Sequence, residues 1–284
     1  MSTKSVACKR LGYPPDARLL ILNADDFGMC QSINEAILTS VKEGVTSSCT
    51  LMPPCPWALD GLYRLEQSPE LPFGIHLTAV SEQPRYRWGP IMSKDQVPSL
   101  VDESGCFYSY DRLQEFLRQV KLEDLAREFR AQIERVLATG LKPTHLDSHC
   151  HVHTRREDIF DMVFQFARDY GLALRANDPI LIEKLRTRGY PANDHEVLDS
   201  YRLETTAKDR TYAKLLRDLP EGLSEWAIHP GTGNSELRAM EPVTWDVRQA
   251  DFDFFVSQQA REIIREEGIT ILNYRPIQKL WQDI

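Results

Sequence analysis

The chain has 284 residues, of which 42% are hydrophobic and 27% charged, as in ordinary globular proteins. Its formal net charge of -8 disfavours binding to nucleic acid or to an anionic membrane surface. The cysteines are scattered without a CxxC pair, and the sequence has neither a membrane-spanning apolar segment nor a signal peptide, so we expect a cytoplasmic protein with reduced thiols.

Short apolar runs alternate with amphipathic segments along the chain, and the two periodicities predict strands and helices respectively. The predicted order is strand 18–24, helix 31–42, strand 45–52, helix 57–66, strand 73–79, a long loop 81–108, helix 122–137, strand 143–148, helix 156–170, strand 171–176, a poorly periodic segment 177–203, helix 206–216, strand 224–229, helix 248–267 and strand 269–274.

This alternation predicts an α/β fold in which a parallel sheet is covered by helices. About seven parallel strands in a chain of this length favour an α/β barrel, which need not be complete, over a doubly wound open sheet. No repeat or linker divides the sequence. We therefore expect one domain over residues 16–284, preceded by an N-terminal arm over residues 1–15.

Polar residues capable of chemistry fall at or near the carboxyl ends of the predicted strands. In parallel α/β proteins these ends converge on one face, where active sites form. The sequence therefore predicts a site at that face. The residues concerned are Asp25, Asp26, His76, His149, Arg175 and His229.

The densest cluster is THLDSHCHVH, residues 144–153. Because alternate strand residues share a face, His145, Asp147 and His149 are expected to point the same way. That spacing suits two metal ligands, or one ligand with partners that orient it. The plainer alternative is a set of separately hydrogen-bonded histidines. Cys150 could be a soft metal ligand or merely a small neighbour.

The second signal is NADDFG, residues 23–28, in which Asp25 and Asp26 are adjacent. Neighbouring carboxylates repel, so a metal could bind one of them and leave the other beside a bound water as a base. A helix N-terminus, where aspartate is favoured by the helix dipole, is the alternative. His76 alone could be a core histidine, and His229 at a strand end is placed for acid–base chemistry.

The motifs NADDFG, GIHLT, PTHLDSHCHVH, LRAND and IHPG, in this order, resemble the YdjC-like carbohydrate deacetylases, which include chitooligosaccharide deacetylases. The resemblance covers residue 18 to the C-terminus and implies a distorted TIM-like barrel. It also implies roles for individual residues, with the two aspartates assigned by analogy to the NodB-type polysaccharide deacetylases. These are a metal held by Asp26, His76 and His149, Asp25 as base, His229 as acid, and Arg175 as an electrostatic, orienting or substrate-binding group. From the strand spacing, Asp147 is expected to be an orienting or substrate-binding group.

The implied reaction is hydrolysis of the N-acetyl group of an amino sugar or short oligosaccharide by one divalent metal ion. The ligand set favours Zn²⁺ and the family favours Mg²⁺, so both stay open. The expected partner is the sugar substrate, and a homodimer is one option for assembly. The alternatives are another metal-dependent barrel hydrolase, such as a phosphodiesterase with a second ion at His145, Asp147, His151 and His153, and a non-catalytic sugar-binding relative.

Overall fold

The structure is a computed structural model of the chain and describes residues 5–203 and 207–284. The first four residues of the predicted arm, and Thr206 at the start of the predicted helix 206–216, lie outside the described residues. The strands are β1 Arg18–Phe27, β2 Ser48–Leu51, β3 Phe73–Leu77, β4 His145–Ser148, β5 Ala173–Leu174, β6 Leu198–Asp199, β7 Gly222–Ile228 and β8 Thr270–Leu272.

The helices lie between these strands and at the two ends of the chain. They are α1 Val6–Leu11, α2 Gln31–Glu43, α3 Ala58–Glu66, α4 Leu113–Gln119, α5 Leu122–Leu137, α6 Glu157–Asp169, α7 Pro179–Thr187, α8 Lys208–Arg217, α9 Ser235–Met240, α10 Trp245–Phe255, α11 Gln258–Glu266 and α12 Arg275–Gln282.

The strands form one parallel sheet in the order β5-β4-β3-β2-β1-β7-β6, with β8 added beside β1. β1 pairs with β7 along residues 18–24, with β8 at residues 19–21 and with β2 at residues 23–27. Within the described residues β5 and β6 do not pair, so the sheet curls into a half-barrel rather than a closed ring. The predicted distorted TIM-like barrel is confirmed.

The central position of β1 explains its composition. Its residues from Leu19 to Phe27 are all buried, because β1 has neighbouring strands on both edges and is covered on both faces. Outside the sheet, α5 buries Leu125, Phe129 and Ile133, which repeat every four residues along one helical face. No described helix combines the length and the low polarity that a membrane span requires.

The structure corrects several predicted boundaries. The single helix predicted over 248–267 is two helices, α10 and α11, and the Ser257 hydroxyl caps the second by accepting the Ala260 N–H at 3.1 Å. The segment 177–203 contains α7 and the two-residue strand β6, and α12 follows the last strand. In the described part of the arm, α1 buries Ala7 and Cys8.

Candidate active site

The two adjacent aspartates lie at the carboxyl end of β1, where the strand is irregular. The register between β1 and β2 shifts between Ala24 and Phe27, and Asp26 has a left-handed φ of 72°. Neighbouring side chains of a regular strand point to opposite faces, and this local change of direction brings both carboxylates to one cleft. Such a backbone conformation is costly for a residue other than glycine and often accompanies function.

Asp26 meets two imidazole rings in a buried cluster. Its Oδ1 atom lies 3.0 Å from Nδ1 of His149 and 3.4 Å from Nε2 of His76. Metal–ligand bonds of about 2.0–2.1 Å place neighbouring ligand atoms of a tetrahedral site roughly 3.3 Å apart. The three donor atoms therefore have the spacing and the chemistry of a two-histidine, one-carboxylate metal site.

Each imidazole is oriented from its other nitrogen. Nδ1 of His76 lies 2.7 Å from Oδ1 of Asp147, whose Oδ2 accepts a hydrogen bond from the Thr50 hydroxyl at 3.1 Å. Burial lowers the pKa of His76, but the charges of Asp147 and Asp25 outweigh burial and raise it to about 9. A carboxylate behind a histidine ligand fixes the ring and its tautomer.

His149 is oriented by Glu82, which sequence reasoning missed. Nε2 of His149 lies 2.6 Å from Oε2 of Glu82, a residue of the long loop after β3. Burial opposes protonation, but interactions with Cys150 and with the carboxylates of Glu82 and Asp26 raise the pKa of His149 well above its usual value. No periodic pattern or motif in the loop 81–108 identified Glu82 as a site residue.

Asp25 is held by Arg175 rather than by the histidines. The guanidinium donates to both carboxylate oxygens at 2.7 and 2.9 Å, and Asn23 Nδ2 donates to Oδ1 at 2.7 Å. Burial raises the pKa of Asp25, but the charge of Arg175, the charge of His76 and the hydrogen bonds from Arg175 together outweigh burial and hold the pKa far below its usual value. Asp25 is therefore an ionised carboxylate at the cleft wall.

Arg175 is enclosed by carboxylates and does not border the cleft. Besides Asp25, it lies 2.8 Å from Oδ2 of Asp147 and donates from Nε to Glu225 at 2.7 Å. Asp147 is likewise absent from the cleft wall. These contacts favour the orienting alternative over substrate binding for both Arg175 and Asp147.

Arg248 is a second buried arginine at the site and was also missed. Its Nη2 donates to Oδ2 of Asp26 at 2.8 Å, while its Nε donates to Glu241 at 2.8 Å. Burial raises the pKa of Asp26, but Arg248 and His149 together lower it well below its usual value. Arg248 lies on α10, more than two hundred residues from Asp26, and no local pattern links the two.

The other histidines of residues 144–153 lie in different places and contact different partners. The His145 ring stacks on Tyr274 with centroids 3.6 Å apart, deeper in the barrel, and burial lowers its pKa to about 3. His151 lies 3.1 Å from Asp199, and His153 bonds Ser148. In the described residues these side chains do not converge, so they do not form the second ion site that a phosphodiesterase-like centre would need. β4 ends at Ser148, yet Asp147 and His149 both reach the site.

His229 follows β7 and lines the same cleft as the two aspartates. The cleft has a volume of about 360 Å³, within the usual range for small-ligand sites. Its remaining wall is polar and aromatic, which suits a hydroxylated substrate. This wall includes Gln83, Tyr110, His151, Arg155, Asp199, Tyr201 and Thr244.

Comparison with known proteins gives consistent matches. A family model described as YdjC-like protein matches residues 19–266, which include every site residue above. A carbohydrate deacetylase of Enterococcus faecalis V583 is 31% identical over 264 residues, covering 91% of this chain and 97% of that protein. A chitooligosaccharide deacetylase of Yersinia enterocolitica is 33% identical over 159 residues, covering 56% and 59%. A solved structure described as a candidate cellobiose-phosphate cleavage protein of E. faecalis V583 is 30% identical, with a TM-score of 0.78, and covers 91% and 98%.

Proposed function

The chain belongs to the YdjC-like protein family, and from this premise we propose that it is a metal-dependent carbohydrate deacetylase that hydrolyses the N-acetyl group of an amino sugar or short oligosaccharide. The relatives named carbohydrate and chitooligosaccharide deacetylase support the substrate class. The observation that carries the proposal is one carboxylate oxygen of Asp26 at 3.0 and 3.4 Å from two imidazole nitrogens, in a cleft that Asp25 and His229 also line.

Asp26, His76 and His149 would hold the ion. Nitrogen and carboxylate ligands in this number suit Zn²⁺, and Mg²⁺ remains the second candidate on the family resemblance. When bound, such an ion polarises an acyl carbonyl and lowers the pKa of water. The carboxylates on the far nitrogens of both rings, Asp147 and Glu82, would keep the ring orientations fixed.

Asp25 and His229 supply the proton transfers of the proposed reaction. Asp25 takes a proton from the attacking water, and Arg175 keeps its carboxylate ionised and fixed beforehand. His229, in its protonated form, gives a proton to the amine nitrogen as the C–N bond breaks, because an amine anion is too poor a leaving group. The products are acetate and the free amino sugar. Residues 16–284 would act as one catalytic domain.

The direct test measures acetate release from N-acetylglucosamine oligomers before and after treatment with a chelator. We expect release to stop on complete metal removal and to return when Zn²⁺ or Mg²⁺ is added. His76→Ala and His149→Ala should lose bound metal. His195→Ala is the matched control, since His195 lies in an exposed contact with the Glu221 carbonyl. Acetate release that survives complete metal removal would overturn the proposal.

A further inference from the structure

Buried groups outside the metal cluster form hydrogen bonds with His229. Its side chain is only 8% exposed, and its Nδ1 atom lies 2.9 Å from the hydroxyl oxygen of Ser200, which is fully buried. Within the described residues this is the one hydrogen bond made by the ring. The ring lines the cleft, so its other nitrogen, Nε2, is the atom available to contact a ligand there.

The backbone of His229 is fixed by a different element. Oδ2 of Asp251, on α10, accepts the His229 backbone N–H at 2.7 Å, and its Oδ1 accepts a very short hydrogen bond from the Tyr212 hydroxyl. Asp251 is fully buried. The ring and the main chain of His229 therefore have separate anchors, which restricts rotation of the imidazole about its side-chain bonds.

A buried lysine stabilises the turn that contains Ser200. Lys208 is 2% exposed, and its Nζ donates to the Ser200 carbonyl oxygen at 2.9 Å and to the Tyr212 hydroxyl oxygen at 3.0 Å. Among the described residues no carboxylate lies within 4 Å of it. Burial lowers the pKa of Lys208, which reflects the cost of keeping a charge there. Because a buried donor is costly when its hydrogen bonds are lost, Lys208 favours the one arrangement of the turn in which they form.

We propose that Ser200 is a positioning residue for His229, an inference that rests on the proposed function. An imidazolium carries a proton on both nitrogens, so Ser200 must accept from Nδ1–H when His229 is charged. The proton available to the leaving amine is then the one on Nε2. After this proton moves to the amine nitrogen and the C–N bond breaks, neutral His229 remains as the Nδ1–H tautomer, which Ser200 already binds.

The test compares Ser200→Ala with Ser224→Ala. Ser224 is also buried, lies on β7, and its hydroxyl has no partner among the described residues, so the control removes the same atom without removing a bond to His229. On an N-acetyl sugar we expect Ser200→Ala to lower kcat by about tenfold or more, with KM changed by less than about twofold. Ser200→Thr, which keeps the hydroxyl, should recover most of the loss.

A substrate whose leaving group needs no proton distinguishes a loss of His229 positioning from general damage to the active site. On p-nitrophenyl acetate we expect Ser200→Ala to lose less than about threefold in rate, because p-nitrophenolate departs without an acid. Equal losses on both substrates would overturn the proposal, as would rates no lower than those of Ser224→Ala.

A spectroscopic measurement tests the positioning role of Ser200 without measuring enzymatic activity. In ¹⁵N–¹H correlation spectra of metal-free protein labelled at histidine, neutral His229 should be the Nδ1–H tautomer, and Ser200→Ala should shift it toward Nε2–H. His229→Gln identifies the signal. The same tautomer in Ser200→Ala and Ser224→Ala would refute the positioning role. A tautomer that depends on Ser200 in a protein that releases no acetate would instead refute the proposed reaction alone.

Discussion

At the scale of single residues, the adjacent carboxylates of Asp25 and Asp26 differ because their partners differ. Asp26 contacts both imidazoles and Arg248, whereas Asp25 is paired with Arg175 and Asn23. The sequence predicts that two carboxylates occur together. Residue types and spacing do not predict this division, which only the family resemblance implies. Apart from Asn23, the partners come from distant parts of the chain, and the irregular end of β1 determines where each carboxylate points.

We predict that Asp25→Asn keeps the metal and loses turnover, whereas Asp26→Asn loses the metal. The amide of asparagine cannot take a proton, so kcat should fall by about 100-fold or more. Metal content by elemental analysis and acetate release check both variants, with the exposed Asp16→Asn as control. An active Asp25→Asn protein together with a metal-bound Asp26→Asn protein would show that the two roles are reversed.

A second residue-scale prediction concerns protons released when metal binds. The pKa of His76 is raised to about 9, so its ring carries an extra proton at pH 7.5 in the metal-free protein, and the pKa of His149 is also raised. A ligand nitrogen must be free of its proton, so binding should release about one proton from His76, and any proton on His149 in addition. Release should decline, and apparent affinity should rise, as the pH passes through about 9.

Calorimetry in buffers of different ionisation enthalpy counts these protons. The Asp147→Asn variant keeps all three ligands but removes the charge that most raises the pKa of His76, so it should release fewer protons at pH 7.5 than the unaltered chain. Release close to zero at pH 7.5 would contradict the raised pKa values of the two rings.

At the scale of elements, apolar patterns located the long strands and helices and also the short strands β2, β4, β5 and β8, but missed other short elements. β1, β7 and α5 follow from their apolar patterns, and α5 has the predicted bounds. β6 and α7 both lie in segment 177–203, which has no clear apolar period and contains Pro179 and Pro191, so neither was predicted. The break between α10 and α11 depends on the local cap at Ser257, which an apolar pattern continuing across it concealed.

The contact between β3 and β4 leads to an element-scale prediction. A Cβ atom at Gly74 would lie 2.5 Å from the His145 ring and 2.7 Å from the His145 carbonyl oxygen, which is closer than real contacts allow. Gly74→Ala should therefore lower the free energy of unfolding by about 1–3 kcal/mol, as overpacked cores do. Denaturant unfolding measures this loss.

The control for Gly74→Ala is a double-mutant cycle. In a His145→Ala background the ring is absent, so the cost of Gly74→Ala should be smaller, since residues in contact couple. Equal costs in both backgrounds would contradict a clash with the ring. His145→Ala removes the ring but leaves the backbone carbonyl in place, so part of the cost of Gly74→Ala should remain.

At the scale of the whole molecule, the parallel sheet explains why strand-end residues could be predicted as one site. β1, β3, β4 and β7 bring Asp25, Asp26, His76, His149 and His229 to one cleft. Glu82, Arg248 and Ser200 reach the same place from a loop, a helix and a short turn. Their identity depends on the tertiary fold, because no strand rule and no motif fixes where those segments lie.

Metal binding should stabilise the whole molecule, because the ligands come from separate strands that meet only in the folded state. At a free ion concentration 100 times the dissociation constant, the gain is about 2.7 kcal/mol, which corresponds to a shift of several degrees in Tm for a chain of this size. Thermal unfolding with and without Zn²⁺ measures it. His149→Ala should abolish the shift and His195→Ala should retain it; a shift of equal size in both variants would place the ion elsewhere.

The central claim is that one ion at Asp26, His76 and His149 makes this cleft a deacetylase. The most direct measurement titrates metal-free protein with Zn²⁺ or Mg²⁺ and records bound ion and acetate release on the same samples. The account predicts that the rate of release rises in proportion to bound ion and levels off at about one ion per chain, as a single two-histidine, one-carboxylate site requires. Full activity before any ion binds, or a rate that continues to rise until two ions are bound, would contradict it.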